Sequence, residues 1–323
     1  MLIHDVNALP SQNYSGVFQT CISPTGCFTL KSDSDTSYHV QVDGEAMYKD
    51  LPPVSTVSFG YSNGEKIEPN SCGEFTVCNR KVSPFTPRRK LIDIITRISG
   101  KQAFKNPSSP QYKSLCWWLS DLDSMEENLQ DNTALIQRYL LVLLYFSTDG
   151  DRWYNKNNWL QYGSECTWYG VSCDQGVVRT INLASNNLMG YLPSEIGDFV
   201  ELNHLILNHN SLKGGLPVET VRLQLLNTLG LSYNLFIGSI HSEIKHLTKL
   251  RDLDLSSNRF SSTLPSEISF LDELQSLNLT NNTFSGEIPS EVQDLLKLKE
   301  ISLGSNLFKG NTDMFEDLSN LGK

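Results

Sequence analysis

No run of about 18 apolar residues occurs in the 323-residue chain, so no membrane-spanning helix is expected. The longest apolar run, from Tyr139 to Phe146, is eight residues. Basic residues are the minority, 26 Lys and Arg against 36 Asp and Glu, and the formal charge of −10 argues against a general nucleic-acid binder. The six histidines are scattered, and no H-E-x-x-H helix, nucleophile elbow or phosphate-binding loop is found. Neither a metal nor a cofactor is expected, and the chain reads as non-catalytic. Met1-Leu-Ile-His-Asp5 also lacks the basic and apolar regions of a secretory signal.

Against these absences stands a repeat. Six units of 24 residues begin at Val178, Leu202, Leu226, Leu250, Leu274 and Leu298 without a slip in register, and a fixed short period means a solenoid. The fifth unit shows the pattern L-x-x-L-x-L-x-x-N-x-L-x-G-x-I/L-P through Leu274, Leu277, Leu279, Asn282, Phe284, Gly286, Ile288 and Pro289. The L-x-L alternation predicts a short strand with one face inward, and stacked strands make a parallel sheet. Asn186, Asn210, Asn234, Asn258, Asn282 and Asn306 follow these strands. Their amides suit an internal hydrogen-bond ladder to turning backbone rather than a ligand site. Gly and Pro further on predict turns and extended pieces outside, with His241 replacing the proline once and Ser262 the glycine once.

The region upstream is not periodic. Trp153 and Trp159 precede Cys166-Thr-Trp168-Tyr-Gly170-Val171-Ser-Cys173, whose spacing suits a local disulfide in an oxidising compartment. Leu135, Ile136, Tyr139, Leu140, Leu143 and Leu144 keep helical spacing after Asp131 or Asn132 as cap. Between Arg80 and Lys105 there are eight Lys or Arg against Asp93, and Leu91, Ile94, Ile95 and Ile98 share one helix face. This basic segment, 88–105, is expected to pack on its neighbours rather than lie on an anionic membrane. Short alternating strands are expected at Phe28 to Lys31, Tyr38 to Val42 and Thr56 to Phe59, with a turn at Asp43-Gly44. Cys21, Cys27, Cys72 and Cys78 allow three connectivities, of which nested Cys27–Cys72 and Cys21–Cys78 bonds are the expected one. Cys116 is left as a buried thiol beside Trp117.

On these residues the repeat unit resembles the plant-specific class of leucine-rich repeat, and Trp168, Gly170, Val171 and Cys173 resemble its N-terminal cap. Residues 88–176, with Ser109-Pro-Gln-Tyr-Lys113 and Tyr145-Phe-Ser-Thr-Asp-Gly-Asp151, are similar to leucine-rich repeat proteins of diatom-type algae. Residues 21–82 resemble a shortened β-sandwich module of algal extracellular proteins. The resemblance implies an α+β chain in which a leucine-rich repeat solenoid has a parallel sheet inside and turns or 3-10 helix outside. Its expected organisation is an unassigned 1–20, a cysteine-containing β-module 21–82, a basic linker 83–107, a helical cap 108–177 and the repeats 178–323.

Side chains between the strand leucines face the concave side. The expected binding residues are Thr180, Asn182, His204, Ile206, Asn208, Thr228, Ser232, Asp252, Asp254, Ser256 and Asn278, with Tyr233 at the rim. Such a face reads a protein or a glycan, not a nucleic acid. Asn13, Asn278 and Asn281 lie in glycosylation sequons, and a glycan on Asn278 would obstruct the middle of the face. The cysteines point outside the cell or to its surface, with a true N-terminus upstream. The alternative is an intracellular protein with reduced thiols. Other expectations by resemblance are a receptor ectodomain without its membrane or kinase part, a cell-wall-hydrolase inhibitor, and a matrix or ice-associating protein.

Overall fold

The computed structural model describes residues 87–122, 132–161 and 163–310, and the backbone of eight strand segments between residues 18 and 82. The chain divides into two compact units, residues 1–93 and 94–323. In the first, four strand segments form one antiparallel sheet and the other four make two pairs. Strand Cys27–Lys31 pairs with Thr56–Ser62, and Val40–Val42 pairs with Glu45–Tyr48 on either side of Asp43-Gly44. The nested bonds Cys27–Cys72 and Cys21–Cys78, and the sequon at Asn13, lie outside the described residues.

Helices α1 (Pro87–Ser99) and α2 (Pro110–Leu122) both start on proline, whose missing N–H costs nothing at the first helical position. The C-terminal end of α1 is tied to helix α3 (Asn132–Ser147) by a 2.9 Å hydrogen bond between Ser99 Oγ and Tyr139 OH, beside the buried Ile95. Every residue of α3 from Gln137 to Tyr145 is buried, which marks it as a core helix. That burial includes two polar side chains, and both are satisfied, as burial demands. Gln137 Nε2 donates to Glu165 Oε1 and to Gly176 O, while its Oε1 accepts from Val178 N. Arg138 donates to Gly163 O, Gln161 O and Glu165 Oε2, and its guanidinium lies 5.4 Å from the Trp117 ring and 5.1 Å from Trp168. Trp153, Trp159 and Trp168 continue the aromatic cluster with centroid spacings of 4.8 and 4.9 Å. Cys166 and Cys173 are disulfide-bonded to each other. Cys116, expected as a free thiol, is also disulfide-bonded.

The repeats build two parallel sheets. In the first, strand Val177–Asn182 pairs with His204–Ile206, and Thr228–Gly230, Asp252–Asp254, Ser276–Asn278 and Glu300–Ser302 follow in order. Strand Val171–Asp174 pairs antiparallel with Val177–Asn182 and covers the N-terminal edge, which would otherwise offer unpaired backbone to another chain. Beneath the sheet, Ile181, Leu205, Leu229, Leu253 and Leu277 are buried. The extended pieces expected outside pair into a second sheet of six strands from Met189–Tyr191 to Leu307–Lys309, and each of the first five units then makes a 3-10 turn such as Ser242–His246. His241 replaces proline there with the same extended backbone, φ −74° and ψ 148°. Ser262 takes the glycine position with φ 76°, in line with Gly190, Gly214, Gly238 and Gly286, because the stack imposes the turn whatever the residue.

The asparagines hold the turns. Asn234 Nδ2 donates to Leu207 O at 2.9 Å and Leu231 O at 3.0 Å, and its Oδ1 accepts from Leu212 N at 2.9 Å. Asn210, Asn258, Asn282 and Asn306 repeat this pattern. Asn186 bonds Asn155 instead, through N and O, and so fastens the cap to the first unit. Asn234→Ala leaves three carbonyls, of Leu207, Leu231 and Ser232, and the Leu212 N–H without this partner inside the stack. It is expected to lower stability by about 1–3 kcal/mol in urea unfolding, and an unchanged midpoint would refute the ladder.

Candidate binding face

Three rows of side chains cross the first sheet, and the parallel register sets them. Thr180, His204, Thr228, Asp252, Ser276 and Glu300 stand side by side in the first. Asn182, Ile206, Gly230, Asp254, Asn278 and Ser302 form the second. Ala184, Asn208, Ser232, Ser256, Thr280 and Gly304 follow as the third, 24 residues apart. No Lys or Arg occupies any of these positions, and the acids sit in the later units.

The first row is hydrogen-bonded across three units. Thr228 Oγ1 lies 3.0 Å from His204 Nδ1 and 3.3 Å from Asp252 Oδ2. The Thr228 hydroxyl donates to the Asp252 carboxylate, and its contact with His204 Nδ1 takes its direction from the imidazole tautomer. Asn208 of the third row leans over Gly230 of the second: a Cβ on that glycine would meet Asn208 Oδ1 at 2.7 Å. Asn208 Oδ1 accepts from Ser232 N. Asp254 Oδ1 accepts from Ser256 N at 3.1 Å and Ser256 Oγ at 2.7 Å. Ser232 and Ser256 are themselves 3% and 6% exposed, so they hold Asn208 and Asp254 in place beneath the surface. Asp252 and Asp254 stand on an open strand, without the enclosure that tunes a catalytic carboxyl.

Tyr233 is 55% exposed at the rim and stacks on His209, with centroids 4.2 Å apart and planes 11° from parallel. Both residues have left-handed backbone, as do Ser185, Ser257, Asn281 and Ser305 at the same place in their units. Positions 209 and 233 are 24 residues apart, so the period itself marks this contact between neighbouring rungs. Of the sequon asparagines, Asn278 is half-buried and its Oδ1 accepts from Thr280 N, while Asn281 is exposed and its Nδ2 donates to Ser257 Oγ. Away from this face, a cavity of about 210 Å³ lies between α3 and the first unit, lined by Ile136, Leu140, Val178 and Phe199. At its edge, burial pushes the Asp198 carboxyl above its usual range and Arg222 pulls it back. Among the described residues no group of His, Cys, Asp and Glu is placed to hold a metal, and no helix is long and apolar enough to cross a membrane.

Comparison with known proteins agrees with this geometry. A leucine-rich repeat family model matches residues 249–271 and 273–295. The Arabidopsis receptor kinase HAESA, solved with the peptide hormone IDA and the co-receptor SERK1, is 31% identical, with 59% of this chain and 32% of that chain covered and a TM-score of 0.51. The PEPR1–AtPEP1 complex is 28% identical over 58% of this chain and 27% of that one, with a TM-score of 0.51. A plant ice-binding protein is 25% identical over 55% of this chain and 57% of that one, with a TM-score of 0.50. This chain thus spans about a third or less of either receptor chain. A search of curated proteins found no match. The repeat region is a leucine-rich repeat solenoid of the plant type, preceded by a helical N-terminal region.

Proposed function

We propose that the solenoid is a non-catalytic recognition module that holds a protein or peptide ligand along its concave sheet, outside the cell or at its surface. The observation that carries this reading is the division of labour within each unit. The recurring strand leucines of the first five units are buried and the recurring asparagines are buried or half-buried, and both serve the stack, while Thr180, Asn182, His204, Ile206, Thr228, Asp252, Asp254 and Asn278 vary from unit to unit on one rigid open sheet. A preformed surface of this kind loses little entropy on binding. Solenoids use such concave surfaces for extended partners. The likeness to receptor ectodomains solved with peptides supports a peptide or protein over a glycan, and the Cys166–Cys173 bond supports an oxidising compartment.

The test is a display library of random 15-residue peptides beside a glycan array, both probed with the intact protein and with Thr228→Arg. Arginine there projects a bulky cation into the middle of the face. We expect peptides to bind and the variant to weaken them by tenfold or more (about 1.4 kcal/mol), while Glu243→Arg on the outer turn leaves them unchanged. Binding of glycans alone, or peptide binding indifferent to Thr228→Arg, overturns the reading.

A further inference from the structure

Resting on the concave-face reading, we propose that the ligand is a basic peptide whose arginine side chain fills an empty rung beside Tyr233. The backbone sets the rungs. Asn210 N donates to Tyr233 O, Asn234 N to Ser257 O and Asn258 N to Asn281 O, at 3.1, 3.3 and 3.2 Å. Residues 209, 233, 257 and 281 therefore follow one another, one unit apart, all with left-handed backbone. His209 and Tyr233 fill the first two rungs with parallel rings. The third rung holds only Ser257. His209 covers the Tyr233 face toward the preceding unit, so the other face looks across Ser257 toward Asn281. The result is a slot one unit wide with an aromatic wall, a hydroxyl floor and an amide wall.

The chemistry around the slot selects a cation. Asp254 stands three residues before Ser257 in the same unit. Its Oδ1 is held by Ser256, and among the described residues its Oδ2 has no hydrogen-bond partner. Asn281 donates its Nδ2 to Ser257 Oγ, which leaves its Oδ1 as an acceptor. Asp252 stands on the same strand, and no concave position carries a positive charge to oppose a cation. A guanidinium is planar, stacks on an aromatic face and offers a fork of donors to carboxylate and amide oxygens. Lysine has the charge without the plane or the fork, so the slot discriminates between the two.

The experiment uses the intact protein, with Asn281 shown by mass to be unmodified, and four pools of 12-residue peptides. The pools are random except for a central arginine, lysine, citrulline or tyrosine, and binding is read by fluorescence anisotropy. We expect the arginine pool to bind about tenfold more tightly than the citrulline pool, by the energy of a partly desolvated cation–aromatic contact with its ion pair, and more tightly than lysine. Tyr233→Ala and Asp254→Asn should each erase that preference. Ser257→Tyr should erase it too, because it fills the rung as Tyr233 fills its own, and its unchanged melting temperature excludes misfolding. Equal binding of the arginine and citrulline pools, or an arginine preference that survives Tyr233→Ala, overturns the proposal. Tight binding confined to the tyrosine pool or to glycans also overturns it. The two readings fail separately: peptide binding blocked by Thr228→Arg without any arginine preference removes the slot and keeps the concave face.

Discussion

Arg138→Met is expected to destabilise the helical N-terminal region by about 3–5 kcal/mol, the cost of leaving a buried charge without its partner. The guanidinium is 1% exposed and donates to Glu165 and to two carbonyls while lying against both Trp117 and Trp168. Glu165 is itself buried and would keep only Gln137. All five tryptophans of the chain fall between Trp117 and Trp168, so tryptophan fluorescence in urea reads this region alone. Arg138→Lys should recover part of the loss, since it keeps the charge without the fork. Arg138→Met with Glu165→Leu should be more stable than Arg138→Met alone, because no unpaired charge remains. A double variant no better than the single would show that the tryptophan packing, not the ion pair, holds the site.

Phe260→Ala is the second large effect, expected at about 3–5 kcal/mol as the sum of lost burial and the cavity left behind. Phe236, Phe260, Phe284 and Phe308 form a row with centroids 6.0, 6.1 and 5.9 Å apart and planes within 9° of parallel. Removing Phe260 takes away two ring contacts as well as one side chain, and aromatic pairs add to simple burial. A solenoid is stabilised unit by unit through nearest neighbours. The loss should therefore split unfolding in two: circular dichroism, which reports the repeats, should lead, while tryptophan fluorescence from the N-terminal region should lag. Phe260→Leu should cost only roughly 1–1.5 kcal/mol, since Leu188 and Leu212 fill the same position in the first two units and are fully buried. Coincident transitions in Phe260→Ala would mean that the units unfold as one cooperative block.

What could be read from the residues alone divides along the periodic boundary. The asparagine ladder, the turn glycines and the inward leucines recur every 24 residues, and a role repeated six times needs no distant partner to be recognised. The outer side was less legible. Its extended pieces carry too little alternation to announce a second sheet, which forms because stacking brings identical segments into register. Arg138 gave no sign either: a basic residue in an apolar run looks like a flank, and its partners lie 23 to 27 residues away in loops. Ser232 and Ser256 share the concave rows with Asp254 and Asn208, yet the first two are buried, because each is short and lies under a taller neighbour to which it donates, Ser232 through its backbone N–H and Ser256 through its hydroxyl.

The period by itself determined the solenoid, its parallel inner sheet and the set of positions that vary on the concave side, because translation by a constant number of residues leaves one way to bury a leucine stripe. Only the tertiary structure decided which of those positions reach solvent, how Arg138 is enclosed, and that Tyr233 stacks on His209 with the next rung left to a serine. Those features depend on side chains from different units meeting at particular distances, and a one-dimensional pattern specifies neighbours in the stack without specifying what their side chains do when they meet.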